Sequence, residues 1–246
     1  MMANNIGKII AVSSGKGGVG KSFVSALTAI SLNRKGYKVG ILDADITGPS
    51  IPKMFGVSDG LYADEEMNLV PVETPKGIKI VSINLMLDDE TTPVLWRGPI
   101  LAKMIGQFWN QTAWGELDYL IIDMPPGTGD VPLTIYQSIP VTGVVIVSSP
   151  QDLVRLIVAK SVNMAKQMNK DVIGIVENYS YMECPDCGKR LYPFGMSDIE
   201  SIAQAEGTKV IGKLPIMPQL AALADMGMFE SVDLRGIDYD ILEAFK

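Results

Sequence analysis

Short apolar runs recur along the chain and alternate with longer stretches in which apolar positions return every three or four residues. The runs predict strands near 8–14, 38–43, 78–85, 118–123, 143–148, 171–176 and 209–214. The amphipathic stretches predict helices near 21–35, 99–113, 131–138, 152–169, 197–206 and 218–226, with a last one near 238–245. This alternation implies an α/β fold: a mostly parallel sheet with helices on both faces. The runs are continuous rather than alternating, as strands buried on both sides require. The stretch 59–93 is less regular, and Thr74-Pro75-Lys76-Gly77 divides two apolar segments, 68–73 and 78–85, predicting a hairpin at the sheet edge. No repeat, low-complexity segment or long linker interrupts the pattern, so 1–246 reads as one domain.

Composition narrows this picture. Hydrophobic residues make up 47% of the 246 positions, yet each apolar run is far shorter than the ~20 residues a bilayer span needs. Nothing at the N-terminus reads as a secretory signal, so a cytoplasmic protein is expected. The net charge of −7 argues against a broad basic surface for nucleic acid or lipid phosphates. There are two cysteines and no histidine.

Gly15-Lys16-Gly17-Gly18-Val19-Gly20-Lys21-Ser22 fits G-x-x-x-x-G-K-[ST] and lies between an expected strand and an expected helix that opens with Phe23, the context a phosphate-binding loop needs. Its backbone N–H groups can surround phosphate oxygens while the helix N-terminus adds partial positive charge. Lys21 is expected to reach the β- and γ-phosphates, and the Ser22 hydroxyl to bind Mg²⁺. Lys16 makes the loop resemble the deviant Walker A loop of the MinD/ParA and nitrogenase iron-protein group, where the extra lysine contacts nucleotide across a dimer interface; alone, it could equally be a solvated lysine.

The run Tyr119-Leu120-Ile121-Ile122 ends in Asp123, which places a carboxylate at the C-terminal edge of a parallel strand, where open α/β sheets bind ligands. The turn that follows, with Gly127, has N–H groups able to sense a γ-phosphate. A second strand ends at Asp43-Ala44-Asp45. Phosphoryl transfer to water needs a group that positions the water, and Asp45 is the candidate, with Asp43 supporting Mg²⁺. The alternative for Asp43 is a cap on a helix starting near Ser50.

Cys184-Pro185-Asp186-Cys187-Gly188 forms a knuckle, an insertion near 181–194, that can aim two thiolates at one metal. A redox dithiol would open a helix, and the residues that follow do not resemble a first helical turn. Two cysteines without any metal remain a reading. Zinc or an iron–sulfur cluster prefers four ligands, and one chain offers two sulfurs and no imidazole. The count therefore points to a site shared by two chains of a C2 dimer.

Together with Trp96-Arg97-Gly98-Pro99, Asp45-Ile46-Thr47-Gly48-Pro49-Ser50 and Glu177-Asn178-Tyr179-Ser180, these motifs make nearly the whole chain resemble the Mrp, or ApbC-like, iron–sulfur cluster carriers, P-loop ATPases with the deviant loop. The resemblance implies an ATP- and Mg²⁺-dependent homodimer that delivers a [4Fe-4S] cluster to apo-proteins. Lys16 would reach the partner's nucleotide, Asp45 would act on the attacking water, and Asn178 would recognise adenine with Leu214-Pro215 near the base. Cys184 and Cys187 would bind the cluster across the dimer. Tyr179 departs from the family's usual methionine and Thr47 from a common aromatic residue; both are expected to spare the chemistry.

Two other functions compete. A positioning or partition ATPase would need a basic amphipathic tail or a basic surface, and 238–246 carries three acids against one lysine. An ATPase with a structural zinc between subunits is compatible with the same four thiolates.

Overall fold

The computed structural model describes residues 4–45, 48, 50–82, 85, 98–150 and 154–245. Its strands are β1 (Asn5–Ser13), β2 (Val39–Asp43), β3 (Tyr62–Ala63), β4 (Leu69–Val70), β5 (Val72–Glu73), β6 (Lys79–Ser82), β7 (Glu116–Asp123), β8 (Gly143–Ser148), β9 (Val172–Glu183), β10 (Arg190–Leu191) and β11 (Val210–Pro215). The α-helices are α1 (Lys21–Arg34), α2 (Ile51–Phe55), α3 (Gly98–Gln111), α4 (Asp130–Ser138), α5 (Val154–Gln167), α6 (Ile199–Ala205), α7 (Pro218–Asp225) and α8 (Ile241–Ala244). Every expected strand and helix is present, and all but one lie within a few residues of their expected bounds.

β1 lies between β7 and β8 and runs parallel to both. The sheet continues through β2 and β6 on one side, and through β9 and β11 on the other, with all of these pairs parallel. Antiparallel β5 closes one edge against β6, which is the expected hairpin. Its first half differs from expectation. Pro71 has no N–H to donate and divides the apolar segment, so β4 pairs with β3 in a separate ribbon and only β5 joins the main sheet.

Side chains alternate across the sheet and fill two cores. Ile10 and Val12 of β1 face the layer of α1, while Ile9 and Ala11 face the layer of α3, α4 and α5. α1 is buried almost all round, including Ser25, Thr28 and Ser31, because the C-terminal segment covers its outer side. Thr28 answers its burial with hydrogen bonds to the Val24 carbonyl at 2.7 Å and to the Tyr239 hydroxyl at 2.8 Å. Each fully buried aliphatic side chain in these layers contributes about 1.5–3 kcal/mol, which fixes α1 against the sheet edge that carries the site.

β9 is longer than expected. The polar group Glu177-Asn178-Tyr179-Ser180 breaks the apolar run in the sequence, but the strand continues through it to Glu183, so the cysteine turn grows from a strand end. Among the described residues, no helix is long and apolar enough to cross a membrane.

Candidate functional site

The loop leaves β1 at Ser13 and enters α1 at Lys21, with Gly20 as the residue before the helix at φ 80, ψ 31. That left-handed conformation suits glycine, and a Cβ here would lie 2.1 Å from Asn178 Nδ2. Gly15 is equally confined, since a Cβ there would meet Ile157 Cγ2 of α5 at 2.3 Å. No side chain caps α1 and no acid sits in its first turn. Its first N–H groups are therefore directed at the cleft as an anion site.

Lys21 is buried at the C-terminal edge of the sheet, its Nζ 2.9 Å from Asp123 Oδ1 and 3.3 Å from Asp45 Oδ2. Asp43 and Asp123 are register partners on β2 and β7, which sets both carboxylates at one level. Ser22 Oγ donates to Asp123 Oδ2 at 2.6 Å and Ser25 Oγ to Asp123 Oδ1 at 2.7 Å. Asp43 accepts from Ser82 Oγ and from the Asp45 N–H, both at 3.2 Å. The α2 helix is preceded by Ser50, so Asp43 does not cap it.

Gathering these charges perturbs them. Burial pushes the Asp43 carboxyl well above the usual carboxylate range, with the charge of Asp123 adding to the effect and Lys21 opposing it. Burial alone would lower the Lys21 pKa, but the charges of Asp123 and Asp45 and the hydrogen bond to Asp123 hold it above the ordinary value. The donors of Ser22, Asp43 and Asp123 are all oxygen, a set that fits Mg²⁺.

The cleft beside these groups has a volume of about 490 Å³ and is lined by the loop glycines, Lys21, Ser22, Phe23, Asp45, Pro126 and Tyr179. A nucleotide-sized ligand fits such a space. Lys16 is half-buried, and its carbonyl accepts from Ser14 Oγ at 3.0 Å. Val19 is buried, and its carbonyl accepts from Asn178 Nδ2 at 3.0 Å, so β9 is tied to the loop. The Gly127 N–H donates to the Ser14 carbonyl at 2.8 Å. Pro215 stands apart: it ends β11 and lines a neighbouring cavity of about 560 Å³ together with Cys184, Pro185 and Met217. Trp96, Arg97, Ile46, Thr47 and Pro49 lie outside the described residues.

The two thiols sit at the tip of the hairpin formed by β9 and antiparallel β10, with Cys184 half-buried and Cys187 exposed. The Cys184 N–H donates to the Lys189 carbonyl and the Gly188 N–H to the Cys184 carbonyl, closing the turn. Backbone N–H groups of Asp186 and Cys187, and then the Cys187 side chain, bond the Cys184 sulfur and lower its pKa. Among the described residues no group of three or more His, Cys, Asp or Glu could hold a metal ion. Among the described residues the knuckle thus carries two sulfurs and no third ligand of these kinds.

Sequence reasoning missed three contributors. Ser25 lies four positions after Lys21, one helical turn on, and shares its contact with Asp123. Ser82 ends the strand next to β2, a position that could have flagged it. Glu177 is buried and accepts from Ser180 Oγ at 2.6 Å and from Ser197 Oγ, joining β9 to the segment returning from the knuckle. No sequence signal marks that last pairing.

The parallel sheet, its phosphate loop and the carboxylates at the strand ends define a P-loop nucleotide-binding protein. The family model described as "ParA: NUBPL iron-transfer P-loop NTPase" matches residues 5–238, and the chain belongs to that family. The chain is 48% identical over 233 residues to the iron-sulfur cluster carrier protein of Clostridium perfringens, covering 92% of this chain and 82% of that one. Its fold is similar to the nucleotide-binding protein of Archaeoglobus fulgidus, solved with ADP and with cobalt found: TM-score 0.84, 45% identity, 96% of this chain and 93% of that one. The MinD cell division protein of Aquifex aeolicus shares the fold at TM-score 0.65 and 19% identity, covering 96% of this chain and 94% of that one.

Proposed function

We propose that the protein is an ATP-hydrolysing iron–sulfur cluster carrier of the cytoplasm, which holds a [4Fe-4S] cluster between two copies of the chain and transfers it to apo-proteins. One observation carries the reading: β9 bears Asn178, bonded to the phosphate loop, and, further on, the two-thiol turn, for which the described residues offer no third ligand. Four thiolates require a second chain. Leu191, Tyr192, Phe194 and Met196 beside the knuckle are exposed, Met196 by 83%, and such an apolar surface suits a self-complementary contact.

In this reading Gly15 to Phe23 surround the phosphates through their N–H groups, and Lys21 neutralises the β- and γ-phosphate charge. Ser22, Asp43 and Asp123 would hold Mg²⁺, which supplies charge neutralisation at the transferred phosphoryl group. Asp45, at the cleft and beside Lys21, orients the attacking water. Gly127 follows the γ-phosphate from its place against Ser14. Asn178 reads adenine, and Lys16 reaches the partner's nucleotide. Loading and release follow from the two sites sharing β9.

Anaerobic reconstitution with iron and sulfide, followed by metal counting and sizing, tests the proposal. The expected result is a brown dimer with one [4Fe-4S] cluster per two chains, lost in Cys184→Ser and in Cys187→Ser. Zinc without iron, or unchanged loading in either variant, overturns it.

A further inference from the structure

Beside the cleft, β9 leaves its regular course. Between Glu177 and Tyr181 it advances four positions while β11 advances two, from Lys213 to Pro215, so two extra residues bulge from the pairing. A bulge re-aims the side chains it carries. At its crest Tyr179 has φ 60, the left-handed region that a bulky side chain enters only under constraint. The constraint is visible on both flanks: Asn178 is bonded to the Val19 carbonyl, and Ser180 to the buried Glu177 carboxylate.

The result is an aromatic ring on the cleft wall, facing the phosphate loop from the opposite element. The Tyr179 hydroxyl comes so near Gly20 that a Cβ there would lie 3.0 Å from it. Phe23 also lines the cleft, but its ring packs edge-on against Phe229, with centroids 5.2 Å apart. Tyr179 is half-buried and belongs to neither of the ring pairs found among the described residues. An aromatic ring on the cleft wall, held there in an unfavourable backbone conformation, suits a planar ligand group.

We infer that Tyr179 is a nucleotide-contact residue, its ring stacking on the base of the nucleotide whose phosphates occupy the loop. The inference rests on the nucleotide reading of the cleft and assigns this residue a role that the resemblance did not. A methionine at this position could not offer the same face.

Calorimetric titration of the full-length protein with Mg²⁺-ATP and with Mg²⁺-tripolyphosphate, which has no nucleoside, tests it. Tyr179→Ala is expected to weaken ATP roughly 5- to 100-fold and to leave tripolyphosphate unchanged, while Tyr179→Phe retains the wild-type affinity for both. Tyr179→Gly, which relieves the backbone, is expected to lose ATP affinity as the alanine variant does. ATP and tripolyphosphate weakening together, a phenylalanine variant as weak as alanine, or a glycine variant that binds ATP normally would each overturn the assignment. Wild-type protein that binds neither ligand would overturn the nucleotide site and the assignment with it; normal ATP binding by Tyr179→Ala overturns the assignment alone.

Discussion

The Lys21 ammonium lies 2.9 Å from Asp123 Oδ1, with both side chains buried. The lysine proposed to meet phosphate is thus held by a carboxylate proposed to meet Mg²⁺, and the two cations share one anionic centre. Replacing Lys21 leaves buried negative charge without its partner, a loss of about 3–5 kcal/mol.

Lys21→Met is therefore expected to melt several degrees lower than wild type in EDTA, roughly 2–4 °C per kcal/mol at this size, and to recover part of that in millimolar Mg²⁺. The pH dependence follows from the raised Lys21 pKa. Its stabilisation is complete below the ordinary lysine value of 10.5 and is lost as pH rises through the higher folded value, so the two proteins converge at strongly alkaline pH. Thermal scans with and without Mg²⁺ decide this, and equal melting in EDTA would refute the pairing.

Asp45→Asn keeps the size of the side chain and removes its charge. Hydrolysis is expected to fall about 10²- to 10⁴-fold, with ATP affinity nearly unchanged. Single-turnover hydrolysis and equilibrium binding measure the two separately. A variant that loses binding and turnover together would place Asp45 among the phosphate contacts instead.

Gly20→Ala drives a methyl group against the Asn178 amide and forces a left-handed alanine. It is expected to destabilise the protein and weaken nucleotide binding. Asn178→Ala opens the space, so the double variant should be less damaged than the sum of the two single changes. A double-mutant cycle on melting temperature reads this coupling, and additive effects would show that the contact is not the cause.

The Cys184 thiolate is expected to form at lower pH than an ordinary cysteine, because backbone N–H groups of Asp186 and Cys187 stabilise it. In Cys187→Ala the rate of alkylation should reach half-maximum at a higher pH than in wild type, yet still below that of a cysteine peptide, since the backbone donors remain. Mass spectrometry of iodoacetamide labelling across pH checks it, and a midpoint equal to the peptide's would refute the hydrogen-bonded sulfur.

The sheet was legible in the sequence because its strands are continuous apolar runs, and the loop because Gly15, Gly20, Lys21 and Ser22 occupy a spacing that local backbone chemistry demands. What escaped notice depends on contacts between distant segments. Ser197 meets Glu177 only through tertiary pairing, and the local polarity of Asn178 and Ser180 disguises a strand whose hydrogen bonds come from β11. Pro71 was readable as a strand breaker, but the apolar residues around it masked the division. Pro215 shares a strand end with the knuckle rather than the cleft wall, a placement set by the β9–β11 register and by nothing local.

The length of β9 also has a parity. Side chains on a strand alternate between faces, so one residue inserted or deleted between Tyr181 and Cys184 would turn the thiols toward the opposite side of the sheet, whereas two would restore their direction and move the tip by about 7 Å. The two extra residues of the bulge are likewise an even number. The orientation of the sulfurs relative to the phosphate loop is thus written as an odd-or-even count, which single-residue changes in chain length erase and substitutions leave intact.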